Sequence, residues 1–259
     1  ELMPEQTGKK EKDFVLFEYD PEHEKAIKIT FSGNIKLKNG YKGQILGVKG
    51  TMSMTLLDAN GNKVERSLTT QTLEDQSEGD KSILEFNTPL DVKGVKLLTW
   101  TLKDSPNKQW LYMPRFKRVK KINSRNQSGS FMGSEFSYED IAGRQIDKYT
   151  YKLIEENDKT WTIESTPTSK SGYSKLLTIF SKEKMNPIKT TYFDRKGSVL
   201  KIADMKDFST HKVKGKSFHL ADLIEMKNVQ TKKQSILKWQ DRNVGVSLNK
   251  NQFKSTKLK

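Results

Sequence analysis

The 259-residue chain has no cysteine, only three histidines, and no unbroken apolar run longer than four residues, Phe14-Val15-Leu16-Phe17 being one such run. Without cysteine there can be no disulfide scaffold, thiolate metal site or cysteine nucleophile. The compartment stays open, because oxidising compartments permit disulfides without requiring them. Runs this short fall far below the roughly 20 residues of a membrane-spanning helix. His23 lies in a charged stretch, and His211 and His219 flank a lysine-rich turn. None belongs to an H-E-x-x-H pattern, and eight residues is not a usual ligand spacing, so no metal site is expected. No G-x-S-x-G, G-x-G-x-x-G or G-x-x-x-x-G-K-[ST] occurs, which removes support for a serine-hydrolase elbow or a phosphate-cradling loop, and no cofactor is expected. Asp58-Ala-Asn-Gly-Asn62 has some calcium-loop character, but Lys63 stands where the sharp-turn glycine belongs and Thr69 where the bidentate glutamate belongs. A plain hairpin turn accounts for it better. Adjacent carboxylates, such as Glu139-Asp140, say nothing about the separation that acid–base chemistry needs, so the chain is read as non-enzymatic.

Positive charge is abundant: 47 Lys and Arg against 32 Asp and Glu, net +15. Pro114–Arg125 carries Arg115, Lys117, Arg118, Lys120, Lys121 and Arg125 with no acid. Such charge suits an anionic membrane surface, an acidic protein partner or nucleic-acid phosphates, and equally a soluble lysine-rich surface. No RNP, zinc-finger or helix-turn-helix pattern accompanies it, so nucleic acid is not the expected partner.

From Thr51 onward, short segments rich in Thr, Val, Ile, Tyr, Phe and Trp alternate with turn residues. Met52, Met54 and Leu56 alternate with Ser53 and Thr55, Asn60-Gly61 supplies a turn, and Val64–Leu73 returns. Further strands are predicted at 82–87, 96–103, 109–113, 116–123, 148–154, 160–166, 175–181, 188–193, 199–207, 218–227 and 234–240. So many strands in series favour one large curved antiparallel sheet or barrel. Helix is expected around Tyr138–Ala142. In 25–38, Ile27, Phe31 and Ile35 fit a helix while Ile27, Ile29 and Phe31 fit a strand, and the pattern does not choose. Residues 1–25 read as a charged arm and 26–259 as a single domain. Glu1-Leu2-Met3-Pro4 has neither a basic n-region nor an apolar h-region, as expected of a mature chain whose signal peptide has been removed.

The most informative stretch is Trp110–Ile141. Gly129, Ser130, Gly133 and Ser134 bracket Phe131-Met132, so a tightly turning, mobile loop presents two large apolar side chains. They either plug the domain's own core or meet a ligand.

Met52-Ser-Met-Thr-Leu56, Pro89-Leu-Asp-Val-Lys-Gly94, Gln109-Trp-Leu-Tyr-Met-Pro114 and above all Ser128-Gly-Ser-Phe-Met-Gly-Ser-Glu-Phe-Ser-Tyr-Glu-Asp140 resemble the LolA-like "outer membrane lipoprotein-sorting protein" family of diderm bacteria. The likeness runs through Tyr192-Phe-Asp-Arg-Lys-Gly197 to Asn243-Val-Gly-Val-Ser247, over roughly residues 40 to 250. The resemblance implies a mainly β (α+β) fold, an antiparallel sheet curled into an incomplete barrel with a few helices over an apolar cavity. It also implies a periplasmic address and, by analogy with LolA and LolB, carriage of lipids or lipoproteins between membranes. Some relatives work beside resistance-nodulation-division type transporters. Relatives usually begin with a helix packed across the sheet, and the arm before Lys25 has no counterpart.

A carrier must supply a dry cavity, since each acyl CH₂ taken from water gains about 0.8 kcal/mol. Met52, Met54, Leu56, Trp100, Leu111, Met113, Phe131, Met132, Phe136 and Tyr138 are the candidate lining. Arg115, Lys117, Arg118, Lys120 and Lys121 are the candidate docking surface for an anionic headgroup or an acidic transporter face. The competing expectation is a non-catalytic accessory subunit of an envelope transporter whose cavity its own side chains fill.

Overall fold

The computed structural model describes residues 47–259 except 76–77, 103–104, 146–147 and 214–215, together with two short paired strands, β1 (Phe14–Val15) and β2 (Thr30–Phe31). Apart from these strands, the charged arm and the helix-or-strand segment 25–38 lie outside the described residues.

Thirteen strands form one sheet: β3 (Gly47–Leu57), β4 (Lys63–Leu73), β5 (Gly79–Thr88), β6 (Lys96–Leu102), β7 (Lys108–Met113), β8 (Arg118–Ile122), β9 (Tyr149–Glu156), β10 (Thr160–Pro167), β11 (Lys175–Ser181), β12 (Asn186–Phe193), β13 (Val199–Val213), β14 (Lys216–Asn228) and β15 (Gln234–Val244). The spatial order is β8-β7-β6-β5-β4-β3-β15-β14-β13-β12-β11-β10-β9, every pair antiparallel. The sheet is not closed into a barrel, since β8 and β9 stand at opposite edges. No helix among the described residues is long and apolar enough to cross a membrane.

The β3–β4 connection is the expected hairpin turn: the Asn60 and Asn62 amides donate to Asp58 Oδ1 at 2.8 and 2.9 Å, and Gly61 takes the positive φ. Where β15 bulges against β3, a Cβ on Gly50 would lie 2.1 Å from the Asp241 carbonyl oxygen, so the two backbones meet only because position 50 has no side chain.

The order has a topological consequence. The chain starts in the middle at β3, meanders out to β8, and re-enters at the far edge with β9 before meandering back to β15 beside β3. The chain between β8 and β9 must therefore pass from one edge to the other, and its described residues do so across one face. That inner face is defined by register: Met52 opposite Leu68 and Leu68 opposite Phe86, Leu84 opposite Leu97 and Leu97 opposite Leu111, then Met54 opposite Leu237 and Ala203 opposite Met226. With Phe131 and Phe136 of the crossing segment these residues form the main buried cluster.

A second, smaller cluster lies on the outer face. Leu98 is buried there with Phe253 and Leu258, which belong to the 3₁₀ turns and chain end after β15. Trp100 belongs to this cluster, its Nε1–H donating to the Phe253 carbonyl at 2.7 Å and its ring meeting Trp110 edge-on. This corrects its assignment to the cavity lining: in β6, Leu97 and Thr99 alternate with Leu98 and Trp100, and the second pair faces outward. Trp100→Phe is expected to lower stability by about 1 kcal/mol through the lost hydrogen bond. Urea unfolding measures this, and ligand binding on the inner face should be unaffected.

Candidate functional site

The crossing segment is a miniature hairpin followed by one short helix. Ser130 bridges Ser137, the Phe131 amide donates to the Phe136 carbonyl at 2.7 Å, and the Tyr138 amide donates to the Gly129 carbonyl at 3.1 Å. Met132 and Gly133 take positive φ at the apex. The serine hydroxyls close the turn, Ser130 donating to the Ser134 carbonyl and Ser134 to the Phe131 carbonyl. Gly129, Ser130, Gly133 and Ser134 thus form a turn tied by its own hydrogen bonds. Ser137 then caps α1 (Tyr138–Ala142), accepting from the Asp140 amide while Asp140 Oδ2 accepts from the Ser137 amide, a full capping box.

This unit is fastened to both halves of the sheet. Arg66 Nη1 donates to the Met132 carbonyl at 2.6 Å, the Glu135 amide donates to Ser235 Oγ, and Asn228 Nδ2 donates to Glu135 Oε2. Phe131 is fully buried between Phe86 and Tyr138. The strongest tie is an ion pair: Lys201 Nζ lies 2.6 Å from Asp140 Oδ2, the side chains 4% and 5% exposed. Lys201 also donates to the Glu135 carbonyl, and the Tyr173 hydroxyl donates to Asp140 Oδ1 at 2.8 Å. Burial, with Asp140 nearby, pushes the Tyr173 and Tyr192 hydroxyls far above the usual tyrosine value, so both stay neutral at any physiological pH.

All the candidate lining residues but Trp100 are gathered here: Met52, Met54, Leu111, Phe131 and Phe136 in the buried cluster, and Leu56, Met113, Met132 and Tyr138 partly buried against it. On the β3–β7 side the crossing segment fills the inner face. On the β11–β14 side a chamber of about 170 Å³ remains, lined by Leu176, Tyr192, Ala203, Met205, Ile224 and Met226, with Phe136 and Arg144 at its edge. A polar groove of about 600 Å³ adjoins it, and Glu139, Gly143 and Tyr149 line both. Burial pushes the Tyr149 hydroxyl up to about 12.

Glu139 accepts from the Ser171 hydroxyl and, at 2.9 Å, from the Gly172 amide, yet burial outweighs these bonds and holds its carboxyl above the usual value of 4.5. The folded state therefore binds this proton more tightly than the unfolded chain does. Its contribution to stability is present below the unfolded value and is lost as pH rises through the folded one. Glu139→Gln is expected to flatten the loss of stability between about pH 4.5 and neutrality, checked by urea unfolding across that range.

Lys201, Arg144 and the role of Asp140 escaped the sequence reading. Two signals were there to use: the Ser137-x-x-Asp140 spacing of a capping box, and Lys201 in step with inward-facing Ala203 and Met205. Among the described residues no group of three or more His, Asp or Glu side chains is placed to hold a metal ion. His211 meets Ser209 and His219 meets Thr210 on the β13–β14 hairpin, with no carboxylate hydrogen-bonded to either ring among the described residues. His23 lies outside them. Arg115, Lys117, Arg118, Lys120 and Lys121 are all exposed, on the turn before β8 and on that edge strand itself, where lysines also discourage edge-to-edge pairing.

An open antiparallel sheet whose apolar inner face is crossed by a single segment is a half-barrel of the LolA type. Solved structures share it: a LolA superfamily protein from Nitrosomonas europaea at 18% identity and TM-score 0.63, covering 82% of this chain and 92% of that one, and a DUF1329 family protein from Desulfovibrio piger at 22% and 0.77, covering 83% and 92%. A protein described as an outer membrane lipoprotein-sorting domain, from Vibrio parahaemolyticus, is 34% identical with TM-score 0.77, covering 82% of this chain and 91% of that one. A family model described as "Uncharacterized protein" matches residues 78–259, and no curated protein matches. The chain belongs to the outer membrane lipoprotein-sorting protein family.

Proposed function

We propose that the protein is a non-catalytic carrier in the envelope of a diderm bacterium that shelters acyl chains of a lipid or lipoprotein against the inner face of its sheet. The observation that carries this reading is the apolar inner face running through both halves of the sheet, together with the unfilled chamber beside the crossing segment. An apolar cavity of about 150 Å³ holds a benzene-sized guest. A chamber of about 170 Å³ therefore takes only part of an acyl chain, and loading requires the crossing segment to withdraw from the β3–β7 side. In this reading Phe131 and Phe136 occupy the part of the inner face that the acyl chain would take. The part that moves is the whole tied unit from Gly129 to Ala142, not its apex alone, because the apex is closed by its own hydrogen bonds.

The same filling also supports the second reading, an accessory subunit of an envelope transporter that carries nothing. Gentle extraction from the native envelope followed by native mass spectrometry separates the two. A stoichiometric lipid or acylated species supports carriage, and a lipid-free protein that stays lipid-free in the presence of vesicles supports the accessory role.

The basic cluster Arg115, Lys117, Arg118, Lys120 and Lys121 is proposed as the docking surface for an anionic membrane or an acidic partner. Reversing these charges to glutamate is expected to abolish the salt-sensitive part of binding to anionic vesicles, at about 1 kcal/mol per basic residue near the surface. Sedimentation at two salt concentrations measures it, and unchanged binding would remove the cluster from the docking surface.

A further inference from the structure

The chamber holds a cation that has no counter-ion among the described residues. Arg144 lines it, with Nη1 donating to Thr178 Oγ1 at 3.1 Å and Nη2 to Thr190 Oγ1 at 3.4 Å, two threonines that are themselves fully buried. Among the described residues no carboxylate lies within salt-bridge distance of it. The two carboxylates that line the same chamber are engaged elsewhere: Asp140 by Lys201, Tyr173 and Ser137, and Glu139 by Ser171 and Gly172. A guanidinium carries five N–H donors in a planar fork suited to bidentate capture of an anion, and setting one against apolar walls without an anion is costly. Lys201, the other cation beside this chamber, is fully paired. The adjoining groove adds room and positive charge at the mouth: it has more than three times the chamber's volume, Lys170 and Arg195 line it, and its walls are mostly hydroxyl and amide side chains such as Gln127 and Ser128.

The geometry points to Arg144 as the recognition point for the phosphate of an anionic acyl lipid, its tail in the chamber and its polar headgroup in the groove. This inference rests on the carrier reading and narrows the cargo. A phosphodiester lipid fits, whereas the thioether-linked acyl anchor of a lipoprotein brings no anion to the guanidinium. A fatty acid would satisfy the charge but leave the groove empty.

The test compares short-chain phosphatidylglycerol with the diacylglycerol of equal chain length, which lacks the phosphate, with hexanoate and inorganic phosphate as controls, by titration calorimetry on the full chain. Wild type is expected to bind the phosphatidylglycerol about tenfold more tightly than the diacylglycerol. Arg144→Gln should erase that ratio while leaving diacylglycerol binding unchanged, and Arg144→Lys should keep part of it. In the absence of ligand, Arg144→Gln should fold as wild type does, because Thr178 and Thr190 still hydrogen-bond to each other. Equal binding of the two lipids by wild type overturns the headgroup inference and leaves carriage standing, whereas binding of neither overturns carriage itself. Phosphate or hexanoate binding as tightly as the phosphatidylglycerol overturns the assignment to a phospholipid. Wild type alone decides these three outcomes, so the test survives a variant that fails to fold.

Discussion

Lys201→Met is expected to destabilise the protein by about 3–5 kcal/mol, because it leaves the Asp140 carboxylate buried without its cation. The loss should be largely recovered in the Lys201→Met/Asp140→Asn double variant, in which no unpaired charge remains and the side chain at 140 can still accept from the Ser137 amide through its oxygen while its amide nitrogen donates to the Tyr173 hydroxyl. Equilibrium urea unfolding of the four proteins of the cycle measures the coupling. A single variant as stable as wild type would mean that water reaches Asp140 and that the pair is no latch. In the proposed carrier the effect extends to loading, because the pair joins α1 to β13. Lys201→Met at a temperature where it stays folded should let the crossing segment leave the sheet more readily and take up lipid faster.

Phe131→Ala should move stability and capacity in opposite directions. Removing a fully buried phenylalanine costs about 3–5 kcal/mol through lost contacts and the cavity left behind. That cavity lies against Phe86 and Tyr138, on the surface proposed to receive the acyl chain, so a bound lipid should refill it. The variant is expected to melt well below wild type when empty and to regain much of the difference in the presence of lipid, as binding to the folded state alone requires. Thermal denaturation with and without a short-chain phospholipid checks this. If the lipid raises the melting temperature of variant and wild type equally, the chain does not occupy the site of Phe131.

Most of the fold was legible in the residues. Strand 175–181 has the limits its alternation and turn residues predict, and helix stands around Tyr138–Ala142 as expected, its start fixed by the Ser137 cap that the structure shows. Strand 199–207 was predicted too short: β13 continues to Val213 through Asp207-Phe208-Ser209-Thr210, where polar residues on both faces hide the period of two. The chain end after β15 gave no signal, since 3₁₀ turns of three or four residues have no periodicity to read, although Phe253 and Leu258 are among the most buried residues.

Local order was written into the chain: where strands begin and turn, that Ser137 starts a helix, and that apolar side chains stand at alternate positions. Alternation is a local property and survives without a partner. Which of the two alternating sets faces inward, and so where Trp100 points, depends on what covers each face, and only the assembled sheet supplies that. The meeting of Lys201 with Asp140, and of Arg144 with Thr178 and Thr190, likewise had to wait for the tertiary structure. Those contacts exist because the chain leaves the sheet at one edge and must cross its inner face to re-enter at the other.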